Sequence, residues 1–268
     1  MRFLSLFAGV GGMDLGLERA GMRCVAQVEL DDYCRSILAR RWPRVPKFKD
    51  VRTFTRPQLR GRVDLVAGGF PCQDISSAGK KAGIGGARSG LWKEMLRIVR
   101  SFRPSYVLVE NVAALRSRGL DVVLGDLAAS GFNAEWDCLP AAAFGAPHLR
   151  DRLFIVAHAK RLGRDGASVL PDGDEAEPRP RAPTQNGGVV EALGRRYRAY
   201  PRDLRMDDGA AAAVDRIRGC GNAVYPPTAE WLGRQILAFD RPSKGRQPPI
   251  DPRSNRRQIA QFRAQLAR

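Results

Sequence analysis

Phe3-Leu4-Ser5-Leu6-Phe7-Ala8-Gly9-Val10-Gly11-Gly12-Met13 decides the fold class. Phe3 to Leu6 is a short apolar run of strand length, and the glycines after it break the strand. From Met13 the apolar residues fall at helical spacing through Leu17 and Ala20, and Gly21 is placed as the helix C-cap. A second strand, Cys24 to Val28, closes on Glu29; Asp31 and Asp32 then cap a helix that runs to about Arg41 and stops before Pro43. The alternation continues outward. Val63–Ala67, Tyr106–Val109, Phe132–Cys138 and Leu153–Ala157 read as strands, with Leu91–Phe102 and Leu120–Ser130 as helices. Repeated strand–helix units predict an α/β fold with a doubly wound, mainly parallel sheet.

The pattern lapses over 160–210, a stretch rich in Gly, Pro, Asp and Arg that holds the acidic run Asp172 to Glu177. It reads as an inserted recognition element or a linker. Periodicity resumes at Val214, and Thr228 to Phe239 is amphipathic and helical. From Arg241 the chain is basic, with a short helix expected over Gln258 to Ala267. The expected organisation is therefore an α/β unit over 1–159, an irregular region over 160–213, a return to the α/β unit over 214–240, and a basic tail over 241–268.

A formal charge of +17 over 268 residues points to a polyanionic partner. Five scattered cysteines make no disulfide framework, and no signal peptide or membrane-spanning apolar run is seen, so a cytoplasmic, reducing location is expected. No metal is expected.

Gly68-Gly69-Phe70-Pro71-Cys72-Gln73 sets one thiol on a stiff turn at a strand's carboxyl end, where open α/β sheets bind ligands. That suits a nucleophile, although free cysteines are more often small core residues. Cys24, Cys34 and Cys138 read as structural. Gly9-Val10-Gly11-Gly12 allows close approach of a ligand to backbone, and Glu29 lies roughly 20 residues on, where an acid would hold ribose hydroxyls. Together they suggest an adenosine-containing cofactor. Asp50-Val51 is a further polar contact or a solvated loop acid. Glu110, at the end of an apolar strand, reads as a proton donor of raised pKa or as a helix cap. Arg150 and Arg152, two apart on an extended chain, project to one side and clamp a carbonyl or phosphate, or pair with surface acids.

These pieces stand in the order of a known family. The chain resembles the DNA (cytosine-5) methyltransferases that use S-adenosylmethionine, of bacterial or phage type, over about 1–159 and 214–239. Phe7-Ala8-Gly9-Val10-Gly11-Gly12 resembles their cofactor loop, Glu29 their ribose-binding acid, and Asp50 with Val51 their adenine contact. Gly69-Phe70-Pro71-Cys72-Gln73 resembles their nucleophile loop, and Ser76 to Lys80 the segment that closes over DNA. Glu110-Asn111-Val112 resembles their base-holding motif, Arg150-Asp151-Arg152 their arginine motif, and Gly221-Asn222-Ala223-Val224 the late motif that completes the cofactor pocket.

The resemblance implies a Rossmann-like methyltransferase fold and catalytic roles for Cys72, Glu110, Arg150 and Arg152. It implies cofactor contacts from Phe7, Ala8, Gly9, Gly11, Gly12, Glu29, Asp50, Val51, Pro71, Asn222 and Ala223. DNA contacts fall to Gln73 and Ser76, and in the irregular region to Arg195, Arg196, Tyr197 and Arg198, a basic cluster with an aromatic interleaved. His148 stands where many members have Gln, and Ala223 where some have Ser. The implied partner is double-stranded DNA, acted on by a monomer, with a cognate restriction endonuclease left open. Three rivals are an RNA methyltransferase on the same scaffold, a cofactor-binding subunit without catalysis, and a nicotinamide-dependent oxidoreductase. The Cys-Phe-Thr signature of the RNA-acting relatives is missing here, intact Cys72 and Glu110 speak against the second, and Pro71-Cys72 with the net charge against the third.

Overall fold

The computed structural model describes residues 1–71, 90–146, 148–164, 166–170 and 223–241. Its strands are β1 (Arg2–Leu6), β2 (Arg23–Val28), β3 (Lys47–Phe48), β4 (Leu65–Gly68), β5 (Tyr106–Val112), β6 (Phe132–Pro140) and β7 (Asp151–Ala159). They form one sheet in the order β3-β2-β1-β4-β5-β7-β6. The helices are α1 (Gly12–Arg19), α2 (Asp32–Arg41), α3 (Leu91–Phe102), α4 (Leu120–Ala129) and α5 (Pro226–Asp240). No helix among the described residues is long and apolar enough to cross a membrane.

The sheet is buried on both faces, and the strand residues alternate between two cores as period-2 geometry requires. Leu4, Leu6, Val66, Val107 and Val109 join Trp92, Met95 and Val99 of α3 and Val123 and Leu127 of α4. Their neighbours Phe3, Leu65, Ala67, Tyr106 and Leu108 face Met13 and Leu17 of α1 and Trp231, Leu232 and Ile236 of α5. On α3 the buried positions Trp92, Met95, Leu96, Val99 and Phe102 repeat every three or four residues, which is one helical face. Gly21 adopts φ +98 and ends α1: its N–H bonds to Glu18 O while Met22 N bonds to Leu17 O, the paired closure of a left-handed cap. Asp31 caps α2 as read, accepting the Cys34 N–H at 2.9 Å.

The sheet is mainly parallel, as expected: β1 to β5 are mutually parallel, and β7 runs antiparallel to both β5 and β6. Between β6 and β7 the described residues of 141–150 hold the 3-10 turn Ala141–Phe144, and a parallel pair needs a longer crossover. Two features differ from the expectation. β5 runs past Val109 to Val112, because β7 continues the ladder with Glu110↔Phe154, Asn111↔Leu153 and Val112↔Arg152. Residues 166–170 of the region expected to be irregular pack on β6. Val169 is buried, and the Glu135 carboxylate accepts the Val169 N–H at 2.8 Å and the Leu170 N–H at 3.1 Å.

Candidate active site

The carboxyl ends of β1 to β5 lie at one edge of the sheet, and the antiparallel β7 brings its amino end to that edge. The described residues expected to have catalytic or cofactor roles lie there or on the segment that packs against it.

At the end of β1, Phe7 takes a left-handed φ of +54 and Gly9 one of +55. The Ala8 N–H bonds to Val28 O at 3.2 Å, and the Gly11 N–H returns to Ala8 O at 2.9 Å, so the loop is a tight turn hung from β2. Glu29 completes it. Its carboxylate accepts the Gly9 N–H at 2.7 Å and the Asp31 N–H at 2.8 Å. A side chain at Gly9 would meet no atom of the described residues within 4 Å, so among these the loop borders open space on that side. Gly11, at φ +83, lies against the Trp42 ring. At Gly12 a Cβ would overlap the Val224 carbonyl oxygen, and at Gly16 that of Pro226. The segment from Ala223 is thereby laid directly on the glycine loop and α1.

Asp50 follows β3. Its carboxylate is taken by Arg52, with Nε at 3.0 Å and Nη2 at 2.6 Å, and these hydrogen bonds hold its pKa below the usual carboxylate value. Val51 is buried, and its carbonyl accepts Arg97 Nη2 from α3 at 2.8 Å.

Beyond β4, a Cβ on Gly69 would lie 2.5 Å from Glu110 Oε2, so only glycine lets this loop pass the carboxylate. Phe70 is buried against Trp92, and its carbonyl accepts Asn111 Nδ2 at 3.1 Å. Pro71, half-buried, is the last residue described before the thiol. Cys72, Gln73 and Ser76 lie outside the described residues, as do Arg195, Arg196, Tyr197, Arg198, Asn222 and the helix expected over 258–267.

Glu110 lies inside β5 and is not a helix cap; it is 8 % exposed. Arg152 pairs with Val112 in the ladder and therefore shares the face of Glu110 two residues away. Its Nε lies 3.1 Å from Glu110 Oε1. Burial raises the pKa of the Glu110 carboxyl, and the Arg152 and Arg150 charges oppose that rise without cancelling it. The two arginines do not share an extended chain as expected. Arg150 has φ +38 and precedes the strand, and its Nη2 bonds to Ala223 O at 2.6 Å. One arginine thus serves the carboxylate, and the other fastens the late segment.

Asn111, read from the sequence only as part of a motif, holds the loop after β4 through the Phe70 carbonyl. Two groups were not singled out from the sequence. Arg97 holds the loop of Asp50. Asp14 is fully buried beneath the glycine loop, accepting Ser5 Oγ at 2.9 Å and Gln27 Nε2 at 2.7 Å. Their signal is polarity inside apolar surroundings: Asp14 shares a helix face with Leu17, and Ser5 and Gln27 interrupt apolar strands. Among the described residues no group of three or more His, Cys, Asp or Glu is placed to hold a metal ion.

Comparison with known proteins fits this arrangement. The description C-5 cytosine-specific DNA methylase matches residues 1–197. The chain belongs to that family. It is 36 % identical over 182 residues to the Type II methyltransferase M.HgiCII of Herpetosiphon aurantiacus, covering 66 % of this chain and 41 % of that protein. It is 33 % identical over 244 residues to the Type II methyltransferase M2.BsuMI of Bacillus subtilis (strain 168), covering 86 % of this chain and 59 % of the relative. The chain thus spans about half the length of these curated relatives. The crystal structure of the S. pombe Dnmt2 methyltransferase superposes with a TM-score of 0.60 over 90 % of this chain and 99 % of that one at 15 % identity, a likeness of fold. The methylase family assignment and the Rossmann-like methyltransferase fold therefore agree.

Proposed function

We propose that this member of the methylase family transfers a methyl group from S-adenosylmethionine to C5 of cytosine in double-stranded DNA, as the modification arm of a restriction–modification pair. The observation that carries this reading is the ion pair of buried Glu110 with half-buried Arg152, lying against Gly69, three residues before Cys72.

The residues present fit the cofactor. The glycine loop leaves open space beside Gly9, and three neighbouring strands end in Gly9 to Gly12, Glu29 and Asp50 with Val51. Glu29 would take the ribose hydroxyls, and Asp50 and Val51 the adenine; Ala223 and Asn222 would close the pocket over α1, with Pro71 at its rim. When bound, S-adenosylmethionine supplies the electrophilic methyl group at its sulfonium that C5 of the ring accepts.

The chain does the rest. A cytosine stacked in a duplex is out of reach, so it is flipped into the site. Cys72 Sγ, as thiolate, adds to C6 and pushes electrons into the ring, and Glu110 gives its proton to N3 to hold that charge. Burial keeps this proton on Glu110 at higher pH than an exposed acid would allow, while Arg152 fixes the carboxyl. After transfer, a water-borne base takes the C5 proton, the C5–C6 double bond re-forms as the Cys72 thiolate leaves, and N3 returns its proton to the Glu110 carboxylate.

Purified protein would test this by calorimetry with S-adenosylhomocysteine and with NAD, followed by nucleoside analysis of treated DNA. Binding of the homocysteine product and appearance of 5-methylcytosine are expected. Binding of NAD alone, or methylation of RNA in place of DNA, would replace this reading.

A further inference from the structure

The sheet has a second edge, and its chemistry is unlike the first. At the amino ends of β1 and β2 lies a cleft of about 660 Å³, walled by the end of α2 and by residues ahead of β4. Arg2, Arg23, Arg41, Arg44 and Arg60 line it from four separate stretches of chain. Four of these arginines are exposed, and Arg2 is half-buried. Among the described residues the one carboxylate in the lining is Glu18, and it is engaged by Trp42 Nε1 at 2.7 Å. Among the described residues, too, no carboxylate forms an ion pair with any of the five guanidiniums. Nothing in the fold requires this concentration of positive charge, which repels itself unless an anion is present.

The cleft is not the cofactor site. β1 alone separates Arg2 from the glycine loop by about 15 Å at the usual rise of a strand. Nor is it built for a nucleotide base. Trp42, the aromatic in the wall, is 7 % exposed, with its ring against Gly11 and Arg41 over it, so no flat face is offered for stacking. Arginines spread along an open cleft, without a stacking platform, match a row of phosphates. One duplex cannot serve both edges of the sheet, because a persistence length of about 150 base pairs keeps it from turning from one to the other.

We infer that the arginine cleft at the amino edge of the sheet binds the phosphate backbone of a second duplex DNA segment, independent of sequence. This rests on the reading of the protein as a DNA-acting enzyme. The chain then holds two segments at once, one for chemistry and one for tethering.

The experiment uses the full chain and a short duplex of arbitrary sequence fixed sparsely to beads. Protein is loaded and washed, and a fluorescent second duplex is offered. The wild-type protein is expected to capture the second duplex. The combined variant Arg23→Ala, Arg44→Ala, Arg60→Ala changes exposed residues, so thermal unfolding should be unmoved. It is expected to stay on the beads and to methylate free DNA at the wild-type rate, yet to lose capture by tenfold or more. The salt dependence of capture should also fall by about 2–3 in slope, at about 0.9 for each phosphate no longer neutralised. Capture that is undiminished in the variant, or absent in the wild type, overturns the second site. Wild-type protein that holds DNA but produces no 5-methylcytosine fails the functional proposal instead, and the capture result then decides the cleft by itself. Protein that holds no duplex at all overturns both.

Discussion

Asp14 lies beneath the glycine loop with no exposed surface, and burial lifts its pKa from the ordinary 3.8 to about 6 despite hydrogen bonds from Gln27 and Ser5. The folded protein therefore binds this proton more tightly than the unfolded chain does. Its favourable contribution is present in acid and is lost as pH rises through about 6. The loss amounts to about 3 kcal/mol. Asp14→Asn should remove that dependence, so urea titrations from acid to neutral pH should show wild type and variant converging toward acid. A constant difference would contradict the assignment. Glu110 is its counterpart in the proposed reaction. Glu110→Gln keeps the shape but cannot release a proton to N3, and methyl transfer should slow by about 10²–10⁴. Single-turnover assays with tritiated cofactor measure this, and an unchanged rate would leave Glu110 a structural partner of Arg152. Of these two, only Glu110 was legible in sequence, because it ended an apolar strand. Asp14 looked like any early-helix acid until Ser5 and Gln27 were seen to enclose it.

At the scale of elements, the junction of α1 with α5 ties the end of the catalytic fold to its beginning. Gly12→Ala would push a methyl group into the Val224 carbonyl. Overpacking of this kind costs about 1–3 kcal/mol. It should also lift the late segment off the glycine loop, so calorimetry should show weaker binding of S-adenosylhomocysteine together with a lower Tm. Unaltered affinity would mean that the late segment does not shape the cofactor pocket. The unit from β1 to α2 was readable because each boundary carries its own local signal: glycines, Asp31 and Pro43. The two-residue β3 and the final turns of β5 carry none. Glu110 to Val112 are extended only because β7 pairs with them, a contact about forty residues distant in sequence that no local pattern encodes. The same pairing sets Arg152 beside Glu110, so the arginine motif was visible as residues but not as geometry.

The whole molecule carries its positive charge at more than one place. From Arg241 onward eight Lys and Arg stand against the single acid Asp251. Deleting 241–268 should weaken binding to all duplexes alike, flatten the salt dependence, and leave the methylated motif unchanged. Target choice is instead proposed for the region holding Arg195, Arg196, Tyr197 and Arg198, since arginine can pair with guanine in the major groove or with phosphate. Because Val169 belongs to the core, an exchange with a relative's segment should begin after Leu170. Such a chimera should methylate a different sequence, and an unaltered motif would place recognition elsewhere. The proposed methylation of cytosine C5 depends on Cys72. Bisulfite sequencing of DNA from cells that express the protein, beside cells that express Cys72→Ser, measures that dependence. Protected cytosines are expected at one short recurring sequence with the wild type and none with the variant. Equal protection with Cys72→Ser, or conversion of every cytosine with the wild type, would overturn the proposed reaction.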